Sequence, residues 1–487
     1  MEHKDKRYRI FTNYTLKDAE KAFGISVRKL SYLIRKDIIE PVVEDSTLLI
    51  PRKEIEKYLK LPRTVRSKHH VSYLKTLGPG LITGASDDDP SGIGTYSSVG
   101  STYGLGLNWL ALYLLPMMTA IQETVARIGI VTEKGLAGAI GKQYGRRILY
   151  PLVFLLLVAN TINIGADIGA MAASFRLIFP INLYLGATLL TLIIILLEVF
   201  VPYHKYAKIL KWLTLSLLAY IITGFIIKPD WGQVARSVVF PNINFDTAFF
   251  AAMVAVMGTT ITPYLFFWQA SEEVEEKRDK KTLSDHRKIA IKHEIKEMRK
   301  DTYAGMALAN IVFLFIIITT AFVLNKNGIT NIDSAEKAAL ALKPLAGEFA
   351  SLLFAVGIFG VGLLAVPVLA GASAYAISEL FHWKEGLSKK FIQARGFYGV
   401  IIISLLIGLA LNFLNINPIK ALFYAAVVNG IIAPILMFFI FKIGRDKKIM
   451  GDFTNPRWVN IWGWIVTILM GTSAIVLILF ALFSIGK

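Results

Sequence analysis

Residues 78–97 read GPGLITGASDDDPSGIGTYS: three consecutive aspartates and a proline, set among glycines in the middle of an otherwise apolar run. An aspartate at a bilayer centre costs about 2.5–3.5 kcal/mol on insertion scales, so Asp87, Asp88 and Asp89 must face a protein interior, water or a cation rather than lipid. Pro90 removes a backbone donor, while Gly92 and Gly94 accept unusual dihedrals, so the spacing predicts a helix broken at mid-span. Broken backbone at that depth is tolerated only where its carbonyls line a cavity. Successive side chains on a helix point about 100° apart, so the three carboxylates cannot all converge on one ion. One or two of them are expected to bind.

That reading supposes a membrane, and the rest of the chain agrees. Of 487 residues 54% are hydrophobic and 18% charged, with a mean hydropathy of +0.54. Such numbers exclude disorder, collagen and a disulfide scaffold. With no cysteine there is no thiolate metal ligand and no catalytic thiol, and no enzymatic constellation is expected. Apolar runs of spanning length predict eleven transmembrane helices over 71–100, 106–131, 149–175, 183–201, 205–227, 246–272, 302–325, 345–381, 395–414, 418–441 and 457–485.

The net charge of +18 could signal nucleic acid or an anionic membrane face. Its distribution favours topology. Lys and Arg gather before the first span and in alternate loops, among them Lys134, Arg146, Arg147, Lys205, Lys208, Lys389 and Lys390. The positive-inside rule then gives a multi-pass plasma-membrane protein, N-terminus cytoplasmic and C-terminus outside. The first 70 residues carry no short apolar region followed by a small-residue cleavage site, so no signal peptide is expected.

A second break follows. Residues 257–276 read MGTTITPYLFFWQASEEVEE, and Pro263 falls at the place in the sixth span that Pro90 holds in the first. Paired Pro-interrupted spans in two five-helix halves point to an inverted-repeat transporter with its site at the midplane. The expected organisation is a cytoplasmic domain 1–60, a basic linker 61–71 and a transporter domain 72–487, with repeats 72–227 and 246–441 and an extra helix 457–485.

Within the first 60 residues, Thr15 with Asp18 three later signals a helix start, Gly24-Ile25-Ser26 a turn and Val27–Arg35 a second helix with Leu30 and Ile34 on one face. Strand-like runs cover 38–43 and 48–50, and Pro51 opens a last helix. This segment resembles a winged helix-turn-helix of the MerR or excisionase type. The resemblance implies DNA phosphates as partners of Arg28 and Lys29. The other expectation is a cytosolic docking or accessory domain, with the linker against anionic headgroups.

Over residues 72–485 the chain resembles the Nramp family of divalent metal transporters. The likeness is carried by Gly78-Pro79-Gly80, the Asp89-Pro90 pair, the MGTTITPY break and the run QETVARIGIVTEKGLAG from Gln122. It implies a LeuT-type 5+5 inverted repeat with the ion between the two broken helices. By position it implies Asp89 as primary ligand, with the carbonyls of Ser86 and Thr259 as backbone ligands. Where the family has Asp-Pro-Gly-Asn this chain has Asp89-Pro90-Ser91-Gly92, and where it has Met-Pro-His this chain has Thr262-Pro263-Tyr264.

The departures matter because a thioether favours softer transition metals, whereas carboxylate, hydroxyl and carbonyl oxygens favour Mg²⁺, Ca²⁺ and Mn²⁺. Mg²⁺ also gives up water reluctantly. The chain is thus similar to the Nramp-related magnesium transporters, and Mg²⁺, or Mn²⁺, is the expected cargo, with no cofactor beside it. Asp88 is expected to contact the ion or its water. Gly92, Tyr264, Asn429, Asp87 and Asp167 are expected to line the site, with Met257 a packing residue. A phenol ionises near pH 10 and is a poor proton relay, so strict proton coupling is not expected.

The alternatives are a proton-coupled Mn²⁺/Fe²⁺ transporter, a membrane-tethered metal sensor that reads DNA, and an amino-acid transporter, which the acids of the first break disfavour. Glu123 and Arg127, four apart, are expected to form a structural pair. The run Glu272–Glu276 is expected either to cap an inner vestibule or to be a solvated helix end.

Overall fold

The computed structural model describes residues 13–35, 39, 41–44, 47–60, 78–201, 214–244, 246–279, 287–414 and 416–484. The linker 61–71, the start of the first span at 71–77, the fifth span's residues 205–213 with Lys205 and Lys208, and the Arg28 side chain lie outside the described residues. The chain divides into two compact units, one of residues 1–76 with 278–294, the other of 77–277 with 295–487.

The first unit holds β1 (Asn13–Thr15), α1 (Leu16–Phe23), α2 (Val27–Arg35), β2 (Val42–Glu44), β3 (Thr47–Pro51) and α3 (Arg52–Lys60). Its sheet is antiparallel in the order β1-β3-β2, pairing Tyr14 with Ile50 and Val42 with Leu49. Thr15 caps α1 by accepting from the Asp18 amide at 3.2 Å, and Gly24 ends it with a left-handed φ of 67°. Ser26 Oγ accepts from Lys29 N at 3.4 Å. Leu30, Leu33, Ile50, Ile55 and Tyr58 close the core. The buried face of α2 therefore runs through Leu30 and Leu33, with Ile34 only partly buried, because an i, i+3 stripe points at the sheet. Strand β1 has no counterpart in the expected elements; its three residues are too few for an alternation to register.

The second unit is helical among its described residues. In chain order come α4 (Pro79–Asp87), α5 (Pro90–Tyr103), α6 (Leu110–Thr132), α7 (Leu136–Tyr144), α8 (Arg146–Phe175), α9 (Leu183–Phe200), α10 (Leu218–Ile226) and α11 (Trp231–Val239). After these come α12 (Thr247–Thr260), α13 (Pro263–Asp279), α14 (Arg287–Val323), α15 (Ala350–Phe381), α16 (Arg395–Leu411), α17 (Pro418–Arg445) and α18 (Arg457–Ser484). Among the described residues nine helices are long and apolar enough to cross a membrane, against the eleven expected. The difference lies at two places. The first span is two short helices, α4 and α5, because Asp88–Pro90 interrupt it, and the fifth is described only as a 3₁₀ turn, Thr214–Leu217, leading into α10.

Position in the bundle follows from composition. Helix α9 exposes Leu185, Leu189, Leu192, Leu196 and Phe200 along one stripe, which in a stable protein means that its solvent there is lipid. In the span Thr247–Arg278, which contains the second break, 94% of an apolar 18-residue stretch is buried, so α12 and α13 pack in the interior. Helix α17 packs on α12, α8, α18 and α5. Its approach to α12 requires Gly258 and Gly430, where an added Cβ would run into the Ala426 and Val254 carbonyls respectively.

Candidate metal-transport site

The two breaks are built by ordinary end chemistry. Helix α4 stops at Asp87, and Asp89 adopts an extended φ of −64° and ψ of 173° as the N-cap of α5. Its Oδ1 accepts from Gly92 N at 2.7 Å, and Pro90 opens the helix where no donor is needed. Helix α12 ends at Thr260, Ile261 turns the chain at φ −124° and ψ 71°, and Pro263 opens α13. The acid at the break is thus both cap and ligand candidate.

Around Asp89 the breaks converge. Asp89 Oδ2 accepts from Asn163 Nδ2 of α8 at 3.1 Å and lies 3.2 Å from the Tyr264 hydroxyl. That hydroxyl donates to the Ser86 carbonyl at 2.7 Å. One phenol proton therefore stands before two oxygens, one from each side of the first break. Tyr96 and Thr260 tie α5 to α12 at 2.9 Å, and since Thr260 Oγ1 already donates to Val256 O, Tyr96 is the donor.

Every expected site residue is buried: Ser86, Asp87, Asp88, Asp89, Thr259, Thr262, Tyr264, Asp167 and Asn429 are each at most 2% exposed. Of these, the structure brings Asp89, Ser86 and Tyr264 into direct contact. Oxygens without a hydrogen-bond partner remain on Ser86, Asp87, Asp88, Asp167, Thr259, Thr262 and Asn429, and buried orphans of this kind are what a site for a cation or its water shell would use. Asp167 is fully buried on α8, four residues after Asn163. Among the described residues no three Asp, Glu or His side chains form a cluster fit to hold a metal. A Cβ at Gly92 would sit 3.2 Å from the Asp87 carbonyl and 3.6 Å from Asp89 Oδ1, so this position borders the Asp89 carboxylate directly. Met257 is buried in α12.

Asn163 escaped the sequence reading. Its signal was present, since Asn160, Asn163 and Asp167 recur at helical spacing in an apolar 30-residue helix. Asn160 is the structural member of that stripe, donating to Leu369 O at 3.2 Å and Ser373 Oγ at 2.9 Å.

Two further expectations resolve. Glu123 pairs with Arg127, and its carboxylate also accepts from Arg299 Nε at 2.8 Å and from the Tyr303 hydroxyl, so the pair is part of a four-residue knot joining α6 to α14. The run Glu272–Glu276 is not a solvated helix end: Glu272, Glu273 and Glu275 are at most 6% exposed. Glu275 accepts from Tyr375 OH at 2.6 Å, Leu387 N at 3.1 Å and Ser388 N at 2.6 Å. A short acidic run looks solvated in sequence because its partners lie a hundred or more residues away.

Solved structures share this fold. A manganese transporter of Eremococcus coleocola is similar at TM-score 0.67 and 20% identity, covering 83% of this chain and 87% of that one. MhsT in complex with L-phenylalanine matches at TM-score 0.58 and 12% identity, covering 84% and 98%. Mhp1, a nucleobase-cation-symport-1 family transporter, matches at TM-score 0.52 and 15% identity, covering 83% and 91%. These are LeuT-type transporters, and at such identities the likeness concerns architecture alone. The family is given by sequence: residues 80–480 match the profile of Nramp, Natural resistance-associated macrophage protein-like. A LeuT-type bundle broken twice, with a buried aspartate at the first break, together with that match, makes this chain a member of the Nramp family of divalent metal transporters.

Proposed function

We propose that the protein takes up a divalent cation into the cytoplasm, Mg²⁺ in preference to Mn²⁺, without strict proton coupling. The observation that carries this is the donor set at the breaks: the Asp89 carboxylate, the Ser86 and Thr259 carbonyls and the Thr262 hydroxyl, all oxygen, with Asp88 as a further acid and no thioether at the Thr262 position. Hard oxygens suit Mg²⁺, and unpartnered Asp88 and Thr262 oxygens suit an ion that keeps part of its water. Tyr264 contributes a phenol whose proton serves the Ser86 carbonyl, a positioning role rather than a relay. Entry of a dication down the membrane potential gains roughly 4.6 kcal/mol per 100 mV, enough to drive uptake unaided.

A manganese reading has its own support, since the similar Eremococcus coleocola protein is a manganese transporter. We further infer eleven spans in a plasma membrane, N-terminus inside and C-terminus outside, with a winged-helix-like domain over 1–60, a linker over 61–71 and the transporter over 72–487. The loop charge supports the orientation, and the β1-β3-β2 sheet with its helices supports the domain's fold. An accessory role for that domain is favoured over a DNA-reading one, which a lone tethered module suits poorly.

The test is uptake into proteoliposomes of Mg²⁺ and Mn²⁺ in parallel, with internal pH recorded, for wild type and Asp89→Ala. Mg²⁺ entry at constant internal pH, lost in the variant, is expected. Mn²⁺ entry with acidification and no Mg²⁺ competition would overturn the reading.

A further inference from the structure

Where α7 meets the start of α8 and the end of α15 there is a cavity of about 460 Å³. Three cations line it, Lys134, Lys142 and Arg146, against two acids, Glu379 and Glu385. Glu379 is already engaged, accepting from Gly138 N in the first turn of α7 at 3.0 Å. Arg146 donates to His382 Nε2 at 3.3 Å, which leaves further guanidinium donors facing the cavity. Ser378 also lines it, fully buried, with a hydroxyl that has no hydrogen-bond partner. Set against the two acids, the three cations leave the lining one positive charge in excess, which an anion with several acceptor oxygens offsets.

The surroundings say what carries that anion. From Arg146 the same face of α8 continues through Tyr150, Phe154 and Val158 at four-residue spacing, exposed by 45%, 65% and 37%. On the other wall Phe381 and Trp383 stack with ring centroids 5.3 Å apart, and both are exposed. A cationic pocket at a helix end, rimmed by Trp and Tyr and continued by an apolar track along the span, has the polarity sequence of a phospholipid: headgroup, interface, chain. Free phosphate has no use for the track.

We propose that this cavity binds the phosphodiester headgroup of an anionic phospholipid, with Lys142 and Arg146 on the phosphate and the acyl chain along Tyr150 and Phe154. The site is separate from the ion path and does not depend on which cation is carried.

Trp383 supplies the readout. Protein in phosphatidylcholine vesicles is titrated with phosphatidylglycerol whose brominated chains quench tryptophans they touch, with brominated phosphatidylcholine in parallel and Trp383→Phe to isolate the signal. The phosphatidylglycerol is expected to quench Trp383 at the lower mole fraction. A cation near an anionic surface is worth roughly fivefold in partitioning, so Lys142→Gln with Arg146→Gln is expected to cut the preference roughly twenty-five-fold. Lys420→Gln, at the far end of α17, is expected to leave it unchanged. Should the double variant fail to fold, Lys134→Gln alone is expected to cost roughly fivefold. Equal quenching by the two lipids, a preference that survives the lysine and arginine changes, or its removal by excess inorganic phosphate would each overturn the proposal.

Discussion

At the scale of single residues, Asp89 does two jobs with two oxygens. Oδ1 caps α5 through Gly92 N, and Oδ2 faces Asn163, Tyr264 and the break. Removing a group that orients a metal-binding carboxylate commonly costs ten- to a hundredfold in affinity. Asn163→Ala is therefore expected to raise the KM for divalent-ion uptake by about tenfold or more while the protein still folds; an unchanged KM would show that Asn163 is only packed against the site. The place of Asp89, buried at a helix break, was legible in sequence because an acid beside a proline in an apolar span has few structural uses. Asn163 was not, because an amide in a helix is as often a packing contact as a site residue. The bond that tells it apart from Asn160 joins residues 74 positions apart.

Among elements, the legible features were those with local chemistry. Pro90 and Pro263 break their helices where the sequence says they should, since a missing donor acts within one turn. The burial of Glu272–Glu275 depends instead on α15 and the loop after it, and no local pattern reports that. Glu275 holds the end of α13 to α15 through the Tyr375 hydroxyl and to this loop through two amides, in a stretch where Gly386 takes a φ of 132°. A hydrogen bond to a charged group contributes about 1.5–3 kcal/mol. Glu275→Gln keeps the shape, loses the charge and turns one acceptor into a donor, so thermal unfolding in detergent is expected to show a loss of about 2 kcal/mol. Wild-type stability in this variant would mean that the loop is held by packing.

For the whole molecule, hydropathy and charge were enough to place the chain in a membrane, and the two breaks were enough to suggest the repeat. The number of spanning helices was less legible, since a helix interrupted by Asp88–Pro90 counts as one span in composition and as two elements in space. The division into two units places both helix breaks wholly in the second. Removal of residues 1–60 is accordingly expected to leave ion uptake in proteoliposomes unchanged; a severalfold loss would assign the first unit a part in transport.

The central claim is that an oxygen-only break selects the harder ion. It is tested most directly by Mg²⁺ flux into proteoliposomes against rising external Mn²⁺, in wild type and in Thr262→Met, which restores a thioether at the second break. The account predicts that Mn²⁺ competes poorly with Mg²⁺ in wild type and roughly tenfold or more better in the variant, the preference following the softer ligand. Wild type that carries Mn²⁺ undisturbed by Mg²⁺, or a variant with unaltered selectivity, would contradict it.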